Sequence, residues 1–581
     1  MSRLNNWLCV RCLAVVGLAA SLSLSAPLAD AQEHTILSSR DIVHPVIGRR
    51  GMVATQEAAA TRIGVQILKD GGNAVDAAVA VGFTLAVTLP RAGNLGGGGF
   101  MVIHMADRGE TVALDYREMA PAGASRDMYL DDEGNVDRDR ATSNRKAVGV
   151  PGTVAGMVLA LETYGTMDLA SVMAPAIALA RDGVTVTEDL SLSLRSARRR
   201  LGAEVHAEEI FYKGENFYLS GDTLRQPELT WSLQQISDHG ADAFYRGEIA
   251  ERIALDMAAN GGLINADDLS GYAPIIREPV RGTYRGFEIV SMPPPSSGGT
   301  HVIQILNMLE AWDIESSGHN TAETIHRVAE VSKLAYADRA QHLGDPAFWD
   351  VPVEGLTSKA YASSLREKVD LEQAMPSDEI QFDDPLPFES NETTHFSVMD
   401  EAGNVVSNTY TLNFSYGSGL VAEGTGIILN NQMDNLSAKP GVPNAYGMLG
   451  GDANAIAPGK RPLSSMSPTI LFKDGEAYMA VGSPGGSTII TTVLQMIMNV
   501  VDHKMNIAEA TYASRFQHQL YPNTIRAEEG LNADSVRLLE AKGHEVTEIS
   551  TMGSTQSILR GDGMFLGSSD PRRPSALTLG Y

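Results

Sequence analysis

The sequence predicts a soluble, folded protein that mixes α-helices with β-strands, and three observations carry that expectation. The composition is that of an ordinary globular chain: 581 residues, 43% apolar and 20% charged, with 56 glycines and 26 prolines, neither disordered nor collagenous nor membrane-spanning. Residues 57–89 repeat apolar side chains at helical spacing, and residues 393–412 carry the composition of a strand, a turn and a second strand. The length suits several domains or one large intertwined one. Asp plus Glu number 71 against 45 Lys plus Arg, a formal charge of -26. A surface of that sign repels phosphate backbones and anionic lipid, so neither nucleic-acid binding nor membrane attachment is expected.

The N-terminus reads as an export signal. Arg3 and Arg11 precede the apolar stretch Leu13 to Leu24, and Ala29-Asp30-Ala31 puts small residues where a signal peptidase needs them. Residues 1–31 are therefore expected to be removed and the product to be periplasmic or secreted. The apolar run is shorter than the ~18 residues of a membrane span. Cys9 and Cys12 both fall in the removed segment, with no lipid-attachment pattern around either, so the mature chain is expected to hold no thiol and no disulfide.

Glu57 to Leu68 puts Ala59, Ala60, Ile63 and Ile67 on one helical face before the break at Asp70-Gly71-Gly72. Asn73 can cap the next helix, Ala74 to Leu89, which is apolar nearly all round, ends at Pro90 and reads as a core helix. Gly96 to Gly99 then feed an apolar strand, Phe100 to Ile103. No Gly-Lys-Ser/Thr follows and no Gly-x-Gly-x-x-Gly opens a helix, so the run reads as close backbone packing rather than a phosphate cradle. Val302 to Ala311 and Ala322 to Ala337 have helical spacing, and Pro293 to Gly299 reads as a loop. Thirteen histidines are scattered without a His-Glu-x-x-His pattern, so no metal is expected.

Thr393 to Met399 is rich in β-branched and aromatic residues, Asp400 to Asn404 is turn chemistry, and Val405 to Leu412 is a second strand. With the loop centred near residue 402, Thr393 falls opposite Thr411 or one step away. On its own such a pair is ordinary cross-strand packing.

Six blocks change its meaning: Asn94-Leu95-Gly96-Gly97-Gly98-Gly99-Phe100, Leu114-Asp115-Tyr116-Arg117-Glu118-Met119-Ala120-Pro121, Thr393-Thr394-His395-Phe396-Ser397, Asn430-Asn431-Gln432-Met433-Asp434, Arg461-Pro462-Leu463-Ser464-Ser465-Met466-Ser467-Pro468 and Gly482-Ser483-Pro484-Gly485-Gly486-Ser487. In these blocks and their order, from about Gly51 to Tyr581, the chain resembles the γ-glutamyltranspeptidases, members of the N-terminal nucleophile hydrolases. The resemblance implies an α+β fold, a four-layer α/β/β/α sandwich. It also implies self-cleavage between Glu392 and Thr393, giving a large subunit, 32–392, and a small catalytic subunit, 393–581, that share one structural domain as a heterodimer.

By motif position the resemblance makes Thr393 the nucleophile and Thr411 its support. The logic is physical: a threonine hydroxyl needs a base, and cleavage creates an α-amine that titrates at about 7.7–8.0 when unperturbed. Gly485 and Gly486 would supply backbone N–H donors to the oxyanion. Arg117, with its bidentate fork, and Ser464 and Ser465 would hold the substrate carboxylate, while Asn413 and Gln432 would face its ammonium. Tyr446, within the Gly/Pro-rich stretch Pro440 to Gly451, matches a lid tyrosine of bacterial relatives. Donors would be glutathione or other γ-glutamyl compounds, acceptors water, amino acids or peptides, and no organic cofactor is called for.

One position departs from the family. Where many members carry a second aspartate to pair with the substrate ammonium, this chain has Asn435 after Asp434. A neutral amide forfeits that charge attraction. The cephalosporin acylases, which cleave glutaryl amides lacking the amine, are therefore an alternative. A chemically inert exported protein on the same fold is another, and intact Thr393, Thr411, Gly485 and Gly486 count against it.

Overall fold

Two seven-stranded antiparallel sheets lie face to face in the computed structural model, which describes residues 41–380 and 393–581. The expected leader, residues 1–31, and Glu392 fall outside the described residues. One sheet runs Leu577–Gly580, Gly51–Thr55, Thr394–Asp400, Val405–Thr411, Gly98–Met105, Glu110–Tyr116, Ile275–Arg277. The other runs Val46–Gly48, Met564–Ser569, Gln556–Gly561, Glu476–Val481, Thr469–Lys473, Phe287–Ser291, Val280–Tyr284.

Strand periodicity builds the layers, because successive side chains leave a strand on opposite faces. Met52, Ala54, Val102, Met399 and Val405 meet Val290, Ile470, Ala480, Ile558 and Phe565 in the seam between the sheets. Their alternate neighbours, among them Val53, Met101, Ile103, Val398 and Val406, pack with the helices Ala58–Lys69 and Ala74–Thr88. On the far side Ile289, Leu471, Met479 and Val481 pack with Gly298–Leu309, Ala322–His342 and Ile489–Val501. The result is the expected α/β/β/α sandwich. Each sheet takes strands from both sides of residue 393, so both parts contribute to the cores on either face and between the sheets.

Local signals survive with small changes. Glu57 caps the first helix by accepting from the Ala59 and Ala60 amides rather than forming its first turn, and Ala59 and Ile63 are only partly buried. Asn73 makes a capping box with Asp76, and every residue of Ala74–Thr88 is buried. The helix expected from Val302 begins at Gly298, inside the expected loop. A Cβ at Gly298 would lie 2.1 Å from Ser467 Oγ and one at Gly299 2.5 Å from the Met292 carbonyl oxygen, so glycine lets the helix start against the chain around Ser467. The helix expected over Ala322 to Ala337 runs on to His342. Among the described residues no helix is long and apolar enough to cross a membrane.

Candidate active site

The hairpin Thr394–Asp400 and Val405–Thr411 pairs Thr394 with Tyr410, which sets Thr393 across from Thr411 as the turn arithmetic requires. Thr393 Oγ1 donates to Thr411 Oγ1 at 3.3 Å, and Thr411 Oγ1 also accepts the Asn413 amide at 2.9 Å. Both threonines are buried. The glycine run presses on this pair from the neighbouring strand: a Cβ at Gly97 would lie 2.1 Å from the Thr411 carbonyl oxygen, which bears out close backbone packing.

One cavity is lined by Thr393, Thr411, Arg117, Asn413, Gln432, Asn435, Tyr446, Ser464, Ser465 and Gly486, which among the described residues are all of the expected site residues except Gly485, the neighbour of Gly486. Met448, Met466 and Ile489 complete the wall. They form an apolar side that the motif blocks did not assign, although Met466 stands inside one of them.

Arg117 ends the strand Glu110–Tyr116, one residue past its last pairing. Asp115 holds that end: its Oδ1 accepts the Arg117 amide at 2.9 Å and Arg461 Nη1 at 2.8 Å, and its Oδ2 accepts Arg277 Nε at 2.8 Å. Arg461 Nη1 also donates to the Arg117 carbonyl at 3.1 Å. Arg461 lies three residues before Ser464, so one buried ion pair joins the two sides of the site that were expected to grip a carboxylate. The sequence blocks contained both residues without revealing this tie.

The Arg117 guanidinium donates to the Pro462 carbonyl at 3.1 Å, to Glu118 Oε2 at 3.4 Å and to Asn435 Oδ1 at 3.1 Å. Burial pushes the Glu118 carboxyl up to about 7 against the pull of Arg117. Asn435 Nδ2 in turn donates to Asn413 Oδ1 at 2.8 Å. Asn413 has a left-handed backbone, φ 79°, which Asn tolerates better than most residues, and its Nδ2 donates to the Asn431 carbonyl at 3.0 Å. Among the described residues Gln432 Oε1 and Asp434 Oδ2 are buried without a hydrogen-bond partner. Burial pushes the Asp434 carboxyl up to about 6, with Arg138 opposing.

Ser464 and Ser465 lie on a segment strapped to the loop before helix Gly298–Leu309: the Ser464 amide donates to the Pro295 carbonyl and its own carbonyl accepts the Ser297 amide, each at 2.9 Å. Gly485 and Gly486 have φ of 134° and 55°, conformations that glycine alone adopts readily. They open the turn Gly486–Thr488 into helix Ile489–Val501, so their amides stand at the positive end of a helix dipole. Tyr446 reaches in from the Gly/Pro-rich stretch, and its hydroxyl donates to the Asn413 carbonyl at 2.7 Å.

A buried cluster elsewhere has the composition of a metal site: His326, Glu330 and His544. His326 Nδ1 faces His544 Nε2 at 2.7 Å, while the Lys333 ammonium sits 2.7 Å from Glu330 and supplies the cation itself.

The profile of the family described as Gamma-glutamyltranspeptidase matches residues 60–579. The chain is 54% identical over 547 residues to the glutathione hydrolase proenzyme of Escherichia coli (strain K12), covering 93% of each. Among solved structures it is similar to a cephalosporin acylase from Bacillus halodurans, with TM-score 0.82 and 27% identity over 95% of this chain and 99% of that one. It is also similar to the Helicobacter pylori γ-glutamyltranspeptidase, with TM-score 0.55 and 46% identity over 56% of this chain and 93% of that one.

Proposed function

The chain belongs to the γ-glutamyltranspeptidase family, and we propose on that footing that it is an autoprocessing acyltransferase. It moves the γ-glutamyl group of glutathione or a related donor to water, an amino acid or a peptide. The precursor breaks the bond between Glu392 and Thr393, and 32–392 and 393–581 stay together as a heterodimer because their strands interleave in both sheets. Export with loss of residues 1–31 is part of the same proposal.

The α-amine freed at Thr393 takes the hydroxyl proton through a water as Oγ1 attacks the γ-carbonyl carbon. The Gly485 and Gly486 amides receive the oxyanion, in a wall where no side chain intrudes. Collapse expels the donor's amine, which carries the proton away, and leaves a γ-glutamyl ester on Thr393. Water or an acceptor amine then attacks that ester by the same route. Thr411 holds the nucleophile's rotamer through the 3.3 Å contact. Arg117, Ser464 and Ser465 grip the α-carboxylate, and Tyr446 covers the bound group and keeps water out.

The observation that carries this reading is the convergence of the Thr393 and Thr411 hydroxyls with Arg117, Ser464 and Ser465 on one cavity. A nucleophile there faces a carboxylate grip across a space walled by methionines and Ile489. Denaturing electrophoresis is expected to give two fragments, N-terminal sequencing of the smaller to read Thr-Thr-His-Phe, and a γ-glutamyl anilide to be hydrolysed. An intact, inactive chain would overturn the reading in favour of an inert protein.

A glutaryl-selective acylase is the second reading, favoured by Asn435, whose oxygen already serves Arg117 and whose nitrogen serves Asn413. Gln432 Oε1 argues for the amine. It is a buried acceptor with no partner among the described residues, and an ammonium would satisfy it where a glutaryl methylene would leave it orphaned. Comparing γ-glutamyl with glutaryl anilides decides between the two.

A further inference from the structure

Helix Ala322–His342 reaches the site at three points. Tyr336 donates to the Ser487 carbonyl at 2.6 Å, next to Gly486, and the Ala340 carbonyl accepts the Gly451 amide at 3.0 Å, at the foot of the stretch that carries Tyr446. Between them stands Arg339.

Five arginines are buried among the described residues: Arg91, Arg117, Arg339, Arg461 and Arg515. Four are ion-paired, with Asp189, Glu118, Asp115 and Asp570 respectively. Arg339 is the exception. Its side-chain hydrogen bonds go to hydroxyls, with Nε donating to Ser297 Oγ at 3.0 Å and Nη2 to Ser465 Oγ at 3.4 Å, and among the described residues no carboxylate forms a salt bridge with it. Burial lowers its pKa to about 10, so it stays charged at neutral pH. An enclosed cation without an anion is costly. Arg339 borders the cavity next to the substrate site, together with Asn435 and Met448, and its link to the substrate site is Ser465, which lines it.

We propose that Arg339 is a positioning residue for donor recognition, acting through Ser465 to select acyl donors that carry a carboxylate at the far end of the chain. By donating to Ser465 Oγ it occupies that oxygen as an acceptor and leaves the hydroxyl proton for the ligand. That proton points at Met448 Sδ at 3.5 Å, a weak acceptor that a carboxylate oxygen would displace. The guanidinium then sits one atom behind the carboxylate, and the ligand supplies the counter-charge that the protein withholds.

The inference rests on the γ-glutamyl reading, and its test separates the two. Arg339→Gln and Arg339→Lys are prepared as mature heterodimers, with electrophoresis to check processing. kcat and KM are measured for a γ-glutamyl anilide, together with competitive inhibition by L-glutamate and by 4-aminobutyrate, which is glutamate without its α-carboxylate. In Arg339→Gln the KM and the glutamate inhibition constant should rise about tenfold or more, with kcat within about twofold and 4-aminobutyrate inhibition unchanged. Arg339→Lys, which keeps the charge but cannot span both serines, should lie between. In a Ser465→Ala background Arg339→Gln should weaken glutamate less than it does alone. Equal losses for both ligands with a falling kcat, or an unchanged ratio between them in Arg339→Lys should Arg339→Gln fail to mature, would overturn the inference. A wild-type enzyme that neither cleaves the anilide nor binds glutamate would overturn the donor reading beneath it.

Discussion

Arg117 and Asn435 share a hydrogen bond, Nη2 to Oδ1 at 3.1 Å, that turns the Asn435 amide nitrogen toward Asn413. The amide is thereby oriented with its oxygen toward the Arg117 cation, and being neutral it offers a substrate ammonium no charge. Asn435→Asp restores a charge that can serve both cations, Arg117 and the ligand. The ratio of kcat/KM for γ-glutamyl over glutaryl anilide should rise about tenfold or more, the scale of a charge-assisted hydrogen bond. An unchanged or lower ratio would show that Gln432 and Asn413 already provide the amine selectivity.

Removing the nucleophile tests maturation and turnover together. Thr393→Ala should remain a single uncut chain with no anilide hydrolysis. Thr411→Val keeps the shape but loses the contact with Thr393 and the acceptor for the Asn413 amide. Slower processing and a kcat lowered about tenfold or more are expected, read by a time course on gels and by steady-state kinetics. Normal processing with full kcat in Thr411→Val would remove the supporting role.

The paired glycines make a steric prediction. A Cβ at Gly485 would lie 2.2 Å from Thr488 Oγ1 in a backbone with φ 134°, so Gly485→Ala must shift the turn that presents the amides. Loss of one oxyanion donor costs roughly a hundred- to a thousandfold in kcat, and KM should change far less because the proposed carboxylate grip, Arg117, Ser464 and Ser465, does not use these amides. A comparable loss confined to KM would place the glycines outside the oxyanion hole.

Asp434 makes a pH prediction for stability. Its carboxyl stands at about 6 in the fold against an ordinary 3.8, because burial disfavours the charge. The folded state binds the proton more tightly than the unfolded chain does. The stabilisation is therefore complete below about pH 4 and is lost as pH rises through about 6, a swing on the order of 3 kcal/mol. Asp434→Asn abolishes that titration. The Tm difference between wild type and variant should move in the variant's favour from about pH 4 to about pH 7, and a constant difference would contradict the argument.

Much of the site was legible in order along the chain. Turn chemistry at Asp400 to Asn404 set the pairing that brings Thr393 to Thr411, and Asn73 and Pro90 bounded a core helix to within a residue. The apolar spacing of helix Ala322–His342 ends at Ala337, so the last turn is not legible in the sequence. The helix continues because Asp338 and Arg339, polar yet buried, meet Gln304 and Tyr361 in one case and Ser297 and Ser465 in the other.

The amino-acid order by itself determined the local elements, the register of the hairpin and the family blocks, because strand and helix periods and turn preferences act between residues a few positions apart. Only the tertiary structure decided that Arg461 ties Asp115 to the serine segment, that Asn435 accepts from Arg117, and that Arg339 meets Ser465 with no salt bridge to a carboxylate among the described residues. Those contacts join residues separated by 346, 318 and 126 positions. They exist because two sheets and their helices stack the distant segments into one core, where charge and hydrogen-bonding capacity must be balanced by whatever the packing brings near.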